Sequence, residues 1–450
     1  MRPVSVAMLV FVALALVPTA KVLSSPSGSP AVLYTSAKHY DALAWVEGEE
    51  RFVAGATVYV VDGRGRHPLL PAFAASADPA VSFDAKRVLF AGKRTASDPW
   101  QIWEVSVRGG NPKQITNCPA DCVRPLYLPE ERIVYAEKMN GRFVVQTAAL
   151  ADGHTLRLTY GTDSAFPTDV LADGRVLFES TTRVEGRPIP EIYTVYSDGS
   201  GVETYRCDHG HARYSGKQVR SGDIIFAEER GLARFTSSRA KEMPVSAPDG
   251  EYAGGIAESP AGEWFLPWRS NAKGFFQLMK WKPGHGALLP ITQERGAHII
   301  EPVLVSSRLV PKRHPSALHD WSVGNLLCLN AYTSKYDFPA ASIRSVKVYT
   351  RDSSGAVQLL GVAPVEADGS FYVQIPGDQP LQIELLDAAG KTLKRETGFF
   401  WMRRGEQRVC VGCHAGPETA PENAVPLILL KSTTPADMTH PVVHSSAGGH

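Results

Sequence analysis

A repeat constrains this chain more than any other feature of its sequence. Short apolar runs return at Val88–Phe90, Ile133–Tyr135, Val176–Phe178, Ile224–Phe226 and Trp264–Leu266, their starts 45, 43, 48 and 40 residues apart. Each follows a turn-forming stretch, such as Asp173-Gly174 or Ser221-Gly222-Asp223. A second landmark is a strand-like run, a Gly-containing turn and a Thr. It recurs as Ile102–Val105 to Thr116, Val144-Val145 to Thr159, Ile192–Val195 to Thr204 and Leu278–Trp281 to Thr292. Several β-branched or aromatic strands per unit of roughly 40–50 residues are the mark of a β-propeller blade, which buries its faces against its neighbours. Copies ending near residues 70, 116, 159, 204, 247 and 292 make six. The copy near 247 is degenerate, so five or seven blades stay open. The alternative is a β-sandwich, but sandwich turns recur about every 8–12 residues without a longer period.

The other regions read differently. Arg2, the apolar run Val6–Val17 and the small residues Pro18-Thr19-Ala20 have the layout of a secretory signal peptide over residues 1–24, cut after Ala20 or Ser24. The run is short for a bilayer span, so the mature chain is expected to be periplasmic or secreted, with no membrane span after cleavage. With 47 Lys+Arg against 46 Asp+Glu the net charge is +1, which leaves no electrostatic footprint for nucleic acid. Arg308–Pro315 has a linker's basic, Pro-containing composition. Beyond it, period-two alternation in Phe371/Val373/Ile375 and Leu381/Ile383/Leu385 predicts half-buried strands of a small β-sandwich over residues 316–430. The polar, His- and Ser-containing residues 431–450 are expected to be a disordered tail.

The sharpest chemical signal is Cys410-Val411-Gly412-Cys413-His414. C-x-x-C-H attaches a c-type haem: both thiols form thioethers with the vinyl groups, and the adjacent imidazole is placed to bind iron. Cys410, Cys413 and His414 are therefore the candidate haem c residues, with His414 the iron ligand. A thioredoxin-like pair lacks its βαβ setting, and a structural zinc site would need a fourth ligand. Met402, Met438, His440, His444, His209 and His211 are candidates for the sixth iron position. Cys207-Asp208-His209-Gly210-His211 is a candidate second metal site, for zinc, through Cys207, His209 and His211. Cys118 and Cys122 fit a short disulfide loop in an oxidising compartment, and Cys328, in an apolar run, reads as a buried small hydrophobe.

Two resemblances add to this. Ile192–Thr204, with its Asp198-Gly199-Ser200 turn, resembles the repeat of TolB-type propellers, which implies a six-bladed propeller over residues 30–307. Phe399–His414 followed by Gly416–Asn423, with Leu326–Asn330 and Val365–Phe371 before them, resembles the middle domain of the hydrazine synthase alpha subunit family. That family also sets a TolB-like propeller ahead of its haem domain. The resemblance implies a hetero-complex with other subunits. In that family a tyrosine four residues beyond the motif ligates the catalytic iron; Glu418 stands there in this chain, so His414 is the default ligand. The family also carries another haem motif, whereas a second C-x-x-C-H is missing here, so one haem is expected and hydrazine synthesis is not.

The expected fold is mainly β: a six-bladed TolB-like β-propeller followed by a small β-sandwich-like domain with a C-terminal haem-binding segment. The expected function is that of an exported mono-haem c-type protein, transferring electrons to a redox partner protein or acting on a small nitrogen- or oxygen-containing ligand. The alternative is a non-catalytic propeller that binds protein or polysaccharide, with a structural metal in its Cys-rich segment.

Overall fold

The structure, a computed structural model, describes residues 30–53, 55–206, 210–352, 354–396, 398–413 and 419–442. The predicted signal peptide lies outside them. No helix among the described residues is long and apolar enough to cross a membrane.

Six antiparallel sheets stand around a channel. The second to fifth blades each run in chain order from an inner to an outer strand, beginning at Ala75–Val81, Cys122–Leu128, Ala165–Val170 and Tyr214–Gln218. In the sixth, Glu251–Tyr252 and Ala257–Glu258 share the inner position against Trp264–Arg269. The first blade borrows its inner strand from far along the chain: His298–Leu304 pairs with Val32–Ala37, Leu33 opposite Val303 and Ser36 opposite Ile299. The degenerate fifth copy is a complete four-stranded blade, so the number is six.

The repeat landmarks have physical reasons. The runs beginning at Val88, Ile133, Val176, Ile224 and Trp264 belong to second strands, whose Leu89, Ile133, Phe178, Phe226 and Phe265 are almost wholly buried between blades. In the second and third blades the Thr completes a ladder where the short outer strand has ended, whereas Thr204 and Thr292 lie within their outer strands. Thr116 Oγ1 accepts from Ile102 N–H at 2.8 Å, and Thr159 Oγ1 from Val145 N–H at 2.9 Å. A buried N–H left unpaired would cost about 1–3 kcal/mol.

Every inner strand also bulges at one level. Register shifts set Glu301-Pro302, Asp78-Pro79, Arg124-Pro125, Thr168, Ser215-Gly216 and Ala253–Ile256 out of the ladders. Asp78, Arg124, Ser215 and Glu301 all take left-handed backbone, with φ between 52° and 55°. Bulges re-aim side chains, and here they ring the channel.

The linker is laid across the propeller. Arg308 N–H donates to Phe83 O at 2.9 Å, Lys312 N–H to Ala172 O at 3.0 Å, and the His314 ring stacks on Tyr196 at 3.7 Å. Gly174 is glycine for this crossing, since a Cβ there would stand 2.2 Å from Lys312 O.

Beyond the linker two four-stranded sheets face each other. One is ordered Gln407–Cys410, Val323–Cys328, Phe371–Pro376, Ala436–Asp437; the other is Val357–Pro364, Ser345–Arg351, Leu381–Leu386, Thr392–Arg395. Leu326, Cys328, Val346, Val348, Val373, Ile375 and Leu385 fill the space between them. Phe371, Val373 and Ile375 alternate as expected. The Leu381 strand does not, because Glu384 on its other face is also covered, accepting from Tyr349 OH at 2.5 Å and Thr392 OH at 2.7 Å.

The structure corrects the expected disordered tail. Residues 431–442 are described: Ala436–Asp437 pairs with Phe371–Pro376, and Met438 is buried in the sandwich core against Gly361. A two-residue strand and one buried Met leave no periodic signal in a polar stretch. Residues 443–450, with His444, lie outside the described residues.

Candidate functional site

The strand Gln407–Cys410 runs parallel to Val323–Cys328, with Cys410 opposite Cys328, and Leu329 N–H closes the pair by donating to Cys410 O at 2.9 Å. The chain then turns over the Asn330–Thr333 loop. A Cβ on Gly412 would stand 2.0 Å from Thr333 O and 2.9 Å from Asn330 O, so only glycine fits between the two cysteines. Cys410 and Cys413 are both free and half-buried, packed on the rim of the sandwich core beside buried Cys328. Cys413 Sγ lies 3.8 Å from Glu396 Oε1.

Burial pushes all three thiols up. Cys413 rises to about 12 through burial and the neighbouring Glu396 charge; Cys410 rises through burial, and Cys328 rises well above the usual thiol range. The pair therefore holds its protons at neutral pH. A thioredoxin-like pair needs the opposite, a depressed thiol pKa. His414 and Glu418 lie outside the described residues, as do Cys207 and His209; His211 is exposed.

The segment before the motif fastens it to the propeller. Phe400 exchanges two backbone hydrogen bonds with Leu381, at 2.8 and 3.0 Å. Trp401 leaves the sandwich and is buried in the cluster of Leu128, Val134, Leu158 and Phe178 from the third and fourth blades. The Arg403 guanidinium donates to Arg157 O at 2.7 Å and Asp198 O at 3.0 Å. Glu406 accepts from Gly201 N–H at 3.1 Å, Arg403 N–H at 2.7 Å and the Arg408 guanidinium at 2.7 Å. A cavity of about 90 Å³ opens at this junction, lined by Phe178, Thr181, Arg183, Arg351, Phe399 and Trp401 among others; Cys410 and Cys413 do not line it.

Other sequence candidates fall elsewhere. Met402 and Met438 are core residues of the sandwich, Met402 against Gly324; His440 is exposed. Cys118 and Cys122 are joined in a disulfide with Cα atoms 6.6 Å apart. Among the described residues, Cys118, Cys122 and Glu137 are the group of three side chains close enough to share a metal, and the two sulfurs are already spent on each other.

Residues 334–415 match the family model of the hydrazine synthase alpha subunit middle domain. They take in Cys410, Cys413 and His414 but not the propeller. The fold is also similar to the hydrazine synthase of Kuenenia stuttgartiensis, with a TM-score of 0.78 at 16% identity over 90% of this chain and 72% of that one. The chain is hydrazine synthase alpha-like.

TolB from Acinetobacter baumannii is similar at a TM-score of 0.44 and 18% identity, over 63% of this chain and 67% of that one. No curated protein sequence matches the chain. In this hydrazine synthase alpha-like chain the residues missed by sequence reasoning are the anchors Trp401, Arg403 and Glu406 and the channel ring. An apolar-aromatic run, Phe399-Phe400-Trp401-Met402, beside the C-x-x-C-H motif was the available signal for the first. Charged residues before proline at Asp78, Arg124 and Glu301 were the signal for the second.

Proposed function

We propose that the chain is an exported mono-haem c-type protein with a redox role, working in a hetero-complex. The observation that supports it best is the pair of free thiols in Cys-Val-Gly-Cys-His, seated at the end of a strand that the propeller itself anchors. Cys410 and Cys413 would each add across a vinyl group, the sulfur bonding one carbon and the thiol proton passing to the other, with no net oxidation. Protonated, unoxidised thiols suit that addition. His414 would ligate the iron, and a haem held there supplies one-electron chemistry or a position for a small ligand. Support for the complex is the family model, which describes a subunit. The sequence holds one C-x-x-C-H, so hydrazine formation is not part of the proposal.

The test is a pyridine haemochrome spectrum of the full chain, produced with cytochrome c maturation machinery. One covalent haem per chain is expected, and none in Cys410→Ala/Cys413→Ala. Absence of covalent haem in the unaltered chain would sink the proposal. His414→Ala should keep a covalent haem but shift the Soret band; an unmoved band would remove His414 as ligand. A reduced spectrum that changes with CO would assign small-ligand chemistry, and one indifferent to CO would assign electron transfer.

A further inference from the structure

The bulges bring Asp78, Arg124 and Glu301 to the propeller channel, where with Arg51 and Lys217 they line an open cavity of about 80 Å³. Its acidic groups are all spent. Arg51 binds Asp78 at 2.7 Å and Glu301 at 2.6 Å. Asp78 also accepts from Arg124 N–H at 2.9 Å, and Glu301 from Thr35 OH at 2.9 Å. Glu179, just behind, pairs with the Arg124 guanidinium and accepts from Ser215 N–H at 2.8 Å. Its donors are not all spent. The Lys217 ammonium, with three N–H groups, donates to one acceptor, Thr168 O. Arg124 Nε has no hydrogen-bond partner among the described residues and is closed to solvent. Tyr40, on the same wall, makes no side-chain hydrogen bond among the described residues. Asp169, the acid nearest in charge to Lys217, is occupied by Val170 and Gln218 N–H groups.

Unspent N–H groups on a buried cation, flanked by a second cation and walled by already-paired carboxylates, are what a buried anion requires. We propose that the propeller channel binds a small oxyanion of the carboxylate class, held by Lys217 Nζ beside the positive charge of the Arg124 guanidinium. The cavity limits its size: at about 30 Å³ per water it takes two or three waters, or one ion such as formate, acetate or bicarbonate. Burial and Asp78 push the Glu301 carboxyl up to about 7, which lessens the negative charge facing the cations around neutral pH, and burial lowers the Lys217 ammonium from its ordinary value, a cost that a bound anion would offset.

The probe is sodium [13C]formate, titrated against the full chain at ionic strength held constant with sodium chloride. Saturable broadening of the formate resonance is expected. Lys217→Met should raise the apparent Kd at least tenfold, and Lys217→Arg should stay within about threefold of the unaltered chain. Broadening that does not saturate, or that Lys217→Met leaves unchanged, would overturn the site. A second readout needs no variant: formate should slow reductive methylation of Lys217, followed by peptide mass spectrometry, at least fivefold. Equal rates with and without formate would overturn the site whether or not the variants fold.

Discussion

Gly412 shows how much one residue of the C-x-x-C-H motif is fixed by packing. Its missing side chain is what lets the cysteine pair sit on the Asn330–Thr333 loop. Gly412→Ala is expected to lower the yield of covalent haem several-fold, while Val411→Ala leaves it near the unaltered level; equal yields in the haemochrome assay would refute this. The cysteine spacing was legible in the sequence because it is local. The fit of Gly412 was not, since Thr333 approaches it from 79 residues away. Glu301 carries a pH prediction of its own. Its carboxyl is pushed up to about 7 from an ordinary 4.5, so between those values the folded chain binds more protons than the unfolded one. Its contribution to stability therefore falls as pH rises from 4.5 towards 7 and levels off above. Glu301→Gln should flatten that part of the profile relative to the unaltered chain, as read by urea midpoints from pH 5 to 8; parallel profiles would contradict the assignment.

Elements were legible wherever turns punctuate them. Strands and their 44-residue rhythm came through because the blades repeat an apolar run after a turn, and the Thr landmark is a hydrogen-bonding device in the second and third blades. The bulges did not come through, because a register shift exists only relative to a partner strand. The loop Cys118–Cys122 encloses few residues, so chain-entropy reasoning gives its disulfide about 2 kcal/mol. Cys118→Ser/Cys122→Ser should lose about that much in urea unfolding, and an unchanged midpoint would show the bond to be idle. Trp401 is the element-scale anchor. Trp401→Ala removes a large buried side chain from the third and fourth blades, at a cost of about 3–5 kcal/mol.

At the scale of the molecule that same tryptophan joins two bodies. While it is seated, propeller and sandwich should unfold in one transition; in Trp401→Ala calorimetry should show two, and a single transition in the variant would mean that the linker and the Arg403 and Glu406 contacts suffice to couple them. The two-part organisation was legible from the repeat and from the change of pattern after Arg308. The docking of the parts was not, because it depends on one aromatic residue and on backbone acceptors, Arg157 O and Asp198 O, that carry no sequence signature.

The borrowed strand of the first blade sets an order of events. As the chain lengthens from its N-terminus, Val32–Ala37 must wait for His298–Leu304 with its inner edge unpaired, and an open edge invites wrong partners. The ring becomes whole only when residue 304 arrives, and the cysteine pair follows about a hundred residues later. The propeller that Trp401, Arg403 and Glu406 grip is thus finished only once that seam has closed, and a chain caught before then offers the strand of the cysteine pair an incomplete platform.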